Sequence, residues 1–305
     1  MKLILLPFLL LPILLPAQTK EQGLAYSSLV AKGRQAFQNH EYAQAGQFYL
    51  DAIEAFGDKG FPEDRYQAAQ ALAQSGRPDP AFANLQRLFE KSSQLEYNTL
   101  LADTFLIPLH TDPRWDTLLA ALRPEMPEIA GRLFEVNRLD QDLRKTIGGI
   151  RSKYGADSPE MDTLWKRINL QDSINLLEVK QLLDKYGWLG AKQVGNRGNT
   201  TVWLVIQHAN LTTQEHYLPM MQAAADAGKA SCGNLAYLED RILVRKKQKQ
   251  LYASQLYTPN GSDTTFYYPV EDPDNLNVRR EGMNLPPFSP ETIEAIKTMP
   301  PHQWD

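Results

Sequence analysis

The chain has 305 residues, 43% of them hydrophobic and 22% charged, a globular composition long enough for two domains. Its formal net charge is −4 and its densest basic run is only RKKQK at 245–249, which argues against a nucleic-acid-binding surface. Cys232 is the single cysteine of the sequence, which excludes an intramolecular disulfide and a cysteine-rich zinc site.

The N-terminal segment, residues 1–17, reads MKLILLPFLLLPILLPA. Lys2 precedes a short apolar run, and Ala17 is a small residue at the end of it, which is the layout of a secretory signal peptide. The run is short for a bilayer span, although an uncleaved membrane anchor remains the alternative. We therefore predict a secreted or periplasmic protein of the bacterial cell envelope, with no stable membrane span once the signal peptide is removed.

Residues 20–123 carry a helical pattern that repeats. The positions where two helices would approach closely recur after 36 residues: Gly33, Ala45, Tyr49 and Ala52 are followed by Ala69, Ala81, Leu85 and Leu88. The pattern resembles the tetratricopeptide repeat, although the tryptophan and Leu-Gly pair of its first helix are mostly absent. Two such helical hairpins imply a domain that braces its neighbour or, less favoured, one that captures a peptide in a small groove.

Two prolines in RPEMPEI, residues 123–129, mark a boundary, and we predict a second domain over 126–300. Just before the boundary, the turn DPRW at 112–115 predicts a closing helix that is capped by its aspartate and packed back by its tryptophan. After the boundary, a long helix is predicted to be weakened or ended at 148–149 by two glycines. Its apolar stripe is Leu133, Val136, Leu139 and Leu143.

Three further helices are predicted next. The first runs from about Ser158 to Tyr186 and is closed by the following glycine. The second carries the polar residues Gln207 and His208 and is broken at 210–211. The third is expected to be capped by Thr212 or Thr213 and to end at Gly228.

The C-terminal part combines one more helix with a small β element. GNLAYLEDRILVRKKQ, residues 233–248, has a helical apolar face, and the aromatic segments on either side of PNGSD predict a β-hairpin. Ser289 and Pro290 begin a last short helix. The predicted fold class is therefore mainly α, with tetratricopeptide-like helical hairpins followed by a helical domain with a small β-hairpin near the C-terminus.

The second domain contains several distinctive short motifs, among them QHAN at 207–210, AYLEDRILV at 236–244 and QLYASQ at 250–255. With DQDLR, GWLGAKQVG and the EDP…VRR segment, they make residues 130–290 resemble an uncharacterised bacterial family, catalogued as a domain of unknown function. The family has aspartate at the position of Asn210 and a Gly-Thr pair at Ala253 and Ser254. The resemblance implies a shape and a set of residues but no reaction.

The polar residues of these motifs are the candidate site. His208 lies over Leu204 and Val205 on a helix, so its ring is expected on the apolar side, where both nitrogens need partners. The candidate catalytic residues are His208, Asp240 and Arg241, and the candidate binding residues are Gln207, Gln250, Tyr252, Gln255, Asp140, Arg144 and Arg279.

Two interpretations of this set stay open. In one, the polar side chains form a buried network that only holds helices against the hairpin. In the other, His208 is a general acid or base oriented by Asp140 or Asp240, while Arg241 or Arg279 binds an anionic group.

The spacing of the histidines and carboxylates matches no metal motif, so neither a metal site nor a cofactor is predicted. The favoured function is that of a binding or interaction protein, with a protein or glycan partner. The alternative is a hydrolase-like or transferase-like enzyme that uses His208.

Overall fold

A computed structural model describes residues 20–91, 95–259 and 264–299. The predicted signal peptide lies outside these residues. The described chain is helical apart from a small antiparallel hairpin, which confirms the predicted fold class. Within it, none of the helices combines the length and the apolar character that a membrane span requires.

The chain divides into two compact units. Unit 1 comprises the described residues up to Leu95 together with Thr99–Ala121, and unit 2 comprises Glu96–Asn98 together with the described residues from Leu122 onward. The helices that precede the second unit's main body are α1 Lys20–Gln38, α2 Tyr42–Ala55, α3 Pro62–Gln74, α4 Pro78–Lys91, α5 Tyr97–Ala102 and α6 Pro113–Leu122, with a 3-10 helix at Thr104–Leu109.

Consecutive helices α1 to α4 pack against one another as helical hairpins. The residues predicted at the close approaches are buried, and Gly33 shows why size matters there: a Cβ atom at this position would lie 3.1 Å from the Tyr49 ring. Before α6, Asp112 accepts a hydrogen bond from the Arg114 amide at 3.0 Å, and Trp115 is 3% exposed and stacks on His110. The tetratricopeptide assignment itself stays a prediction.

Unit 2 is built mainly from helices α7 to α12, and a small hairpin and two short helices follow. The bounds are α7 Pro127–Lys145, α8 Ile147–Tyr154, α9 Pro159–Tyr186, α10 Ala191–His208, α11 Leu211–Asp226, α12 Cys232–Arg245, β1 Leu256–Tyr257, β2 Phe266–Tyr267, α13 Leu276–Gly282 and α14 Pro290–Thr298.

Several predicted helix ends are confirmed and two are wrong. Ser158 caps α9 and Ser289 caps α14 through their side-chain oxygens. The glycine pair at 148–149 does not end α7, because the break falls at Thr146 and both glycines lie inside α8. Asn210, rather than either threonine, caps α11 by accepting a bond from the Thr213 amide at 2.9 Å.

The core of unit 2 lies where α7, α9 and α10 pack together. On α7, Leu133 and Val136 are buried as predicted, but Leu139 is 38% exposed. Its place in the buried stripe is taken by Asp140, four positions after Val136. A carboxylate therefore enters the core between helices, and the fold must supply partners for it.

Helix α10 is kinked at Gly195, whose φ of 77° is a left-handed backbone conformation that favours glycine. A Cβ atom there would lie 2.8 Å from the carboxylate of Glu96, which accepts a hydrogen bond from the Arg197 amide at 3.2 Å. Glu96 thus caps the part of α10 that follows the kink, and burial raises the pKa of its carboxyl.

The predicted hairpin is confirmed in a shorter form. Strands β1 and β2 pair antiparallel with Leu256 opposite Tyr267, over two residues each. Residues 250–255 form a loop rather than the start of a strand, and most of the predicted turn, residues 260–263, lies outside the described part of the chain.

Candidate functional site

Asp140 is the centre of one polar cluster, and its side chain is only 1% exposed. Its Oδ1 atom accepts hydrogen bonds from Arg144 Nη1 at 3.1 Å and from His208 Nδ1 at 3.3 Å. Its Oδ2 atom accepts a bond from Gln141 Nε2 at 2.6 Å. Asp140, Arg144 and His208, all named from the sequence, are therefore in direct contact.

His208 is the last residue of α10, and its side chain is 21% exposed. An ionised carboxylate only accepts hydrogen bonds, so the Nδ1 atom must carry the proton that points at Asp140. In the neutral ring the Nε2 atom then holds a lone pair. No residue in the described ranges bonds Nε2, which leaves this nitrogen available to a bound molecule.

Arg144 ties this pair to α9. Its Nη2 atom donates to both carboxylate oxygens of Asp172, at 2.9 and 2.8 Å, while Nη1 donates to Asp140. Two carboxylates and one guanidinium leave the cluster with one excess negative charge when the imidazole is neutral. This excess negative charge lies directly beside the imidazole ring.

The pKa of Asp140 lies below its ordinary value. Burial by itself raises the pKa, because a buried carboxylate loses its hydration, but the hydrogen bond from His208 and the charges of His208 and Arg144 outweigh that effect. Asp140 is thus ionised at neutral pH, the state in which it orients the His208 ring.

A cavity of about 280 Å³ lies beside His208 between α9 and α10. Asn175 in its wall is 2% exposed and accepts a bond from Gln171, but its buried Nδ2 atom has no partner among the described residues. A buried donor without an acceptor is costly, so this wall is suited to an oxygen atom of a ligand. The other polar residues that line the cavity are Asp140, Asn169, Asp172, Ser173, His208 and Asn210.

Asp140, Asp172 and His208 each place a potential metal-ligand atom within 4.8 Å of the others. Arg144 already binds both carboxylates, so a metal cation in this position would have to displace the guanidinium. The arrangement therefore suits proton transfer better than metal binding, and the predicted absence of a metal and a cofactor stays a prediction.

Asp240 belongs to a separate cluster. Its carboxylate is fully buried and accepts backbone N–H bonds from Leu251 at 2.7 Å, Tyr252 at 3.1 and 3.2 Å, and Ser254 at 3.0 Å. Burial raises its pKa, although these hydrogen bonds oppose the shift. Asp240 anchors the loop at 250–255, and the structure pairs His208 with Asp140 instead.

Gln250, Gln255 and Tyr252 hold the same loop. The Gln250 side chain accepts a bond from the backbone N–H of Gln255 at 2.8 Å. It donates to the backbone carbonyls of Gln255 at 3.0 Å and of Tyr268 at 2.8 Å. The Tyr252 hydroxyl donates to Glu239 at 3.1 Å. The hydrogen bonds of these candidate binding residues hold the loop together and join it to α12 and to the residue after β2.

Arg279, one of the two predicted anion anchors, is also committed to this loop. Its guanidinium donates to the backbone carbonyls of Leu251 at 2.8 Å and of Glu271. Its neighbour Arg280, which was not singled out from the sequence, donates to the Tyr252 carbonyl at 2.6 Å. Both arginines are thus structural clamps on the loop.

Gln207 is on the side of α10 that faces α12, and Arg241 is a residue of α12 itself. Gln207 donates to the Tyr237 carbonyl at 3.3 Å, and its buried Oε1 atom has no partner among the described residues. Arg241 follows Tyr237 by one helical turn and has a buried Nε atom, again without a described partner. Neither residue lines the cavity beside His208.

Asp172 and Asn175 are site residues that were missed from the sequence, although a signal was present. The buried stripe of α9 is Met161, Leu164, Ile168, Val179 and Leu182. Asp172 and Asn175 fall at the intervening positions of this stripe, spaced by four and three residues. Polar residues at the apolar positions of a long helix indicated a buried polar contact.

A family described as a family of unknown function, DUF6624, matches residues 127–298, which contain all the residues of both polar clusters. No curated protein and no solved structure matches the chain. The resemblance predicted for residues 130–290 is confirmed, and since the match covers more than half of the 305 residues, the chain belongs to the DUF6624 family.

Proposed function

We propose that unit 2 is an enzyme that uses His208 as a general base and acid on a small polar substrate. One observation carries this proposal: Asp140 holds the Nδ1 side of the ring, while Nε2 has no partner in the described chain and the residue lines a cavity. A sealed network would leave both ring nitrogens bonded, whereas the His208 side chain is 21% exposed and within reach of a bound molecule.

The chemistry that fits this arrangement is hydrolysis. His208 Nε2 takes a proton from a water molecule, whose oxygen attacks a carbonyl or phosphoryl centre in the cavity. The Asn175 amide, whose Nδ2 atom has no acceptor among the described residues, donates to the oxygen on which negative charge develops. His208 then returns the proton to the leaving group, and Asp140 stabilises the imidazolium in between.

The size of the cavity limits the substrate. A volume of about 280 Å³ is at the lower end of ligand pockets, which typically span about 300–1,000 Å³. The cavity therefore accepts a small polar molecule or one polar group of a larger one.

The test uses chromogenic probes: p-nitrophenyl acetate for esters, bis(p-nitrophenyl) phosphate for phosphodiesters and a p-nitroanilide for amides. We expect turnover of at least one probe, with kcat reduced about 100-fold by His208→Gln because proton transfer is lost. His216→Gln is the matched control, since His216 is an exposed histidine of α11 that does not line the cavity. Equal rates for the wild type and His208→Gln on every probe would overturn the proposal.

We also propose that residues 1–17 direct export. The support is the order of Lys2, the apolar run and Ala17. The expected mature chain begins at Gln18, which mass spectrometry of the N-terminal peptide detects, and Ala17→Arg should block the cleavage. A chain that retains residues 1–17 in the membrane fraction would support the uncleaved anchor instead.

A second candidate function, binding of a peptide or glycan, is supported by unit 1. A cavity of about 660 Å³ lies along α1, and its lining includes Arg34, whose side chain is 55% exposed and bonds Asp64. This candidate predicts that Arg34→Ala abolishes partner binding while His208→Gln leaves it intact. If His208→Gln abolished partner binding and Arg34→Ala did not, the binding site would lie in unit 2.

A further inference from the structure

The guanidinium of Arg241 is unusual in this protein. Its Nε atom is fully buried without an acceptor, and no carboxylate of the described chain forms an ion pair with the side chain. Burial, together with the charge of Arg245, lowers its pKa, which shows that the surroundings disfavour the positive charge.

Arg245 follows one helical turn later on the same face of α12. Its Nη1 atom donates to the Ala209 carbonyl at 2.6 Å, and within the described ranges it too has no carboxylate partner. Arg245 is exposed, so water offsets part of its charge, but two like charges one turn apart repel each other and the described residues supply no carboxylate to either.

Other buried or partly buried arginines are compensated by carboxylates or, as at Arg280, by the backbone carbonyls of Pro286 and Tyr252. Arg65 is paired with Asp58 at 2.6 Å, and Arg144 is paired with both Asp140 and Asp172. Arg241 has neither kind of partner, and its buried Nε donor is left without an acceptor, which is costly.

We infer that Arg241 and Arg245 form a binding site for a phosphate group, either free or carried by a larger molecule. Two guanidinium groups match the two negative charges of a phosphate monoester, and their fixed N–H forks suit its oxygens. A carboxylate would satisfy only one of the two charges.

Neither arginine lines the cavity of His208, although Arg245 bonds the carbonyl of Ala209, a residue in the wall of that cavity. Gln207 faces α12 and bonds Tyr237, one turn before Arg241, whereas the next residue, His208, faces Asp140 on α7. Binding of phosphate at Arg241 therefore does not depend on the proposed catalytic role of His208, and His208→Gln should leave it unchanged.

The experiment measures thermal unfolding and calorimetric binding of the full chain with inorganic phosphate, and with acetate or chloride at matched ionic strength. We expect saturable stabilisation by phosphate, weaker stabilisation by acetate and none by chloride. Arg241→Gln should weaken phosphate binding about tenfold or more, because it removes a charged hydrogen-bond donor. Arg138→Gln, a change at an exposed arginine of α7, is the control and should bind phosphate like the wild type.

The melting temperature of the phosphate-free variant separates a ligand site from a structural one. If Arg241 serves to bind an anion, Arg241→Gln should melt at the same temperature as the wild type or higher, since an uncompensated charge is removed. If a carboxylate outside the described residues supplied the counter-charge, Arg241→Gln would melt lower and phosphate would act no differently from chloride. Either of those two results overturns the inference.

Discussion

Unit 2 contains two almost fully buried aspartates that differ in what surrounds them. Asp140 meets charged or protonatable side chains, namely Arg144 and His208, and its pKa is lowered. Asp240 meets uncharged donors of one loop, namely backbone amides and the Ser254 side chain, and burial raises its pKa. Burial alone therefore does not mark a functional carboxylate, and the identity of its donors separates a site from a scaffold.

Of the substitutions that test this difference between the two aspartates, Asp240→Ala should have the largest effect on stability. The change leaves three backbone N–H groups of the loop without an acceptor, and we expect a loss of about 3 kcal/mol or more in the free energy of unfolding. Urea denaturation measures it, and Asp240→Asn, which keeps one acceptor oxygen, should lose less. A loss below about 1 kcal/mol would show that water replaces the carboxylate and that the loop does not depend on it.

Asp140→Asn should destabilise the protein less, by about 1–2 kcal/mol at pH 7, since Arg144 keeps its bonds to Asp172. Its larger effect falls on catalysis, because the amide no longer stabilises the charged His208 ring. Chromogenic turnover should drop as in His208→Gln, whereas Asp240→Asn should retain activity once folded. A fully active Asp140→Asn variant would contradict the proposed role of the pair.

The two aspartates should also respond to pH with opposite signs. The folded-state pKa of Asp140 is lowered, so its contribution is present above the ordinary value of 3.8 and is lost as the pH falls through the folded-state pKa. The folded-state pKa of Asp240 is raised, so its contribution is full below 3.8 and declines as the pH rises. On acidification, the deficit of Asp140→Asn should therefore shrink and that of Asp240→Asn should grow in urea titrations.

The smallest expected effect is that of Asn210→Asp. Asn210 caps α11 through Oδ1, and aspartate keeps this acceptor while adding a charge that suits a helix N-terminus. The gain in stability should be about 0.5 kcal/mol or less. Ser289→Asp, at the cap of α14, is the comparison, and a clear loss only at position 210 would show repulsion from the carboxylates of the cavity.

Local chemistry made much of the fold predictable. Ser158 was predicted as a helix start and Ser289 as a cap from the residues next to them, because a cap acts within one turn. The error at Leu139 has the same origin: its spacing fitted an apolar stripe, but only the packing of α7 against α9 and α10 decides that Asp140 is buried instead.

The candidate site was less predictable. His208 was predicted to be oriented by Asp140 or Asp240, and its contact with Asp140 spans 68 residues of sequence and joins two helices, α7 and α10. Asp240 was grouped with His208 because both follow apolar turns, and nothing local distinguishes a carboxylate that binds amides from one that binds an imidazole. Arg241 was named as an anion anchor beside Arg279, and the structure separates them because Arg279 is bound to carbonyls.

Glu96 has a practical consequence for anyone who divides this protein. The chain enters unit 2 at 96–98, returns to unit 1, and leaves it again only at 122. A fragment that begins at 122 would contain every residue of the family match but would lose the carboxylate that caps α10 beyond Gly195. Weak folding or inactivity of such a fragment would therefore be explained by the missing Glu96 carboxylate. It would not show that the rest of the N-terminal half is required.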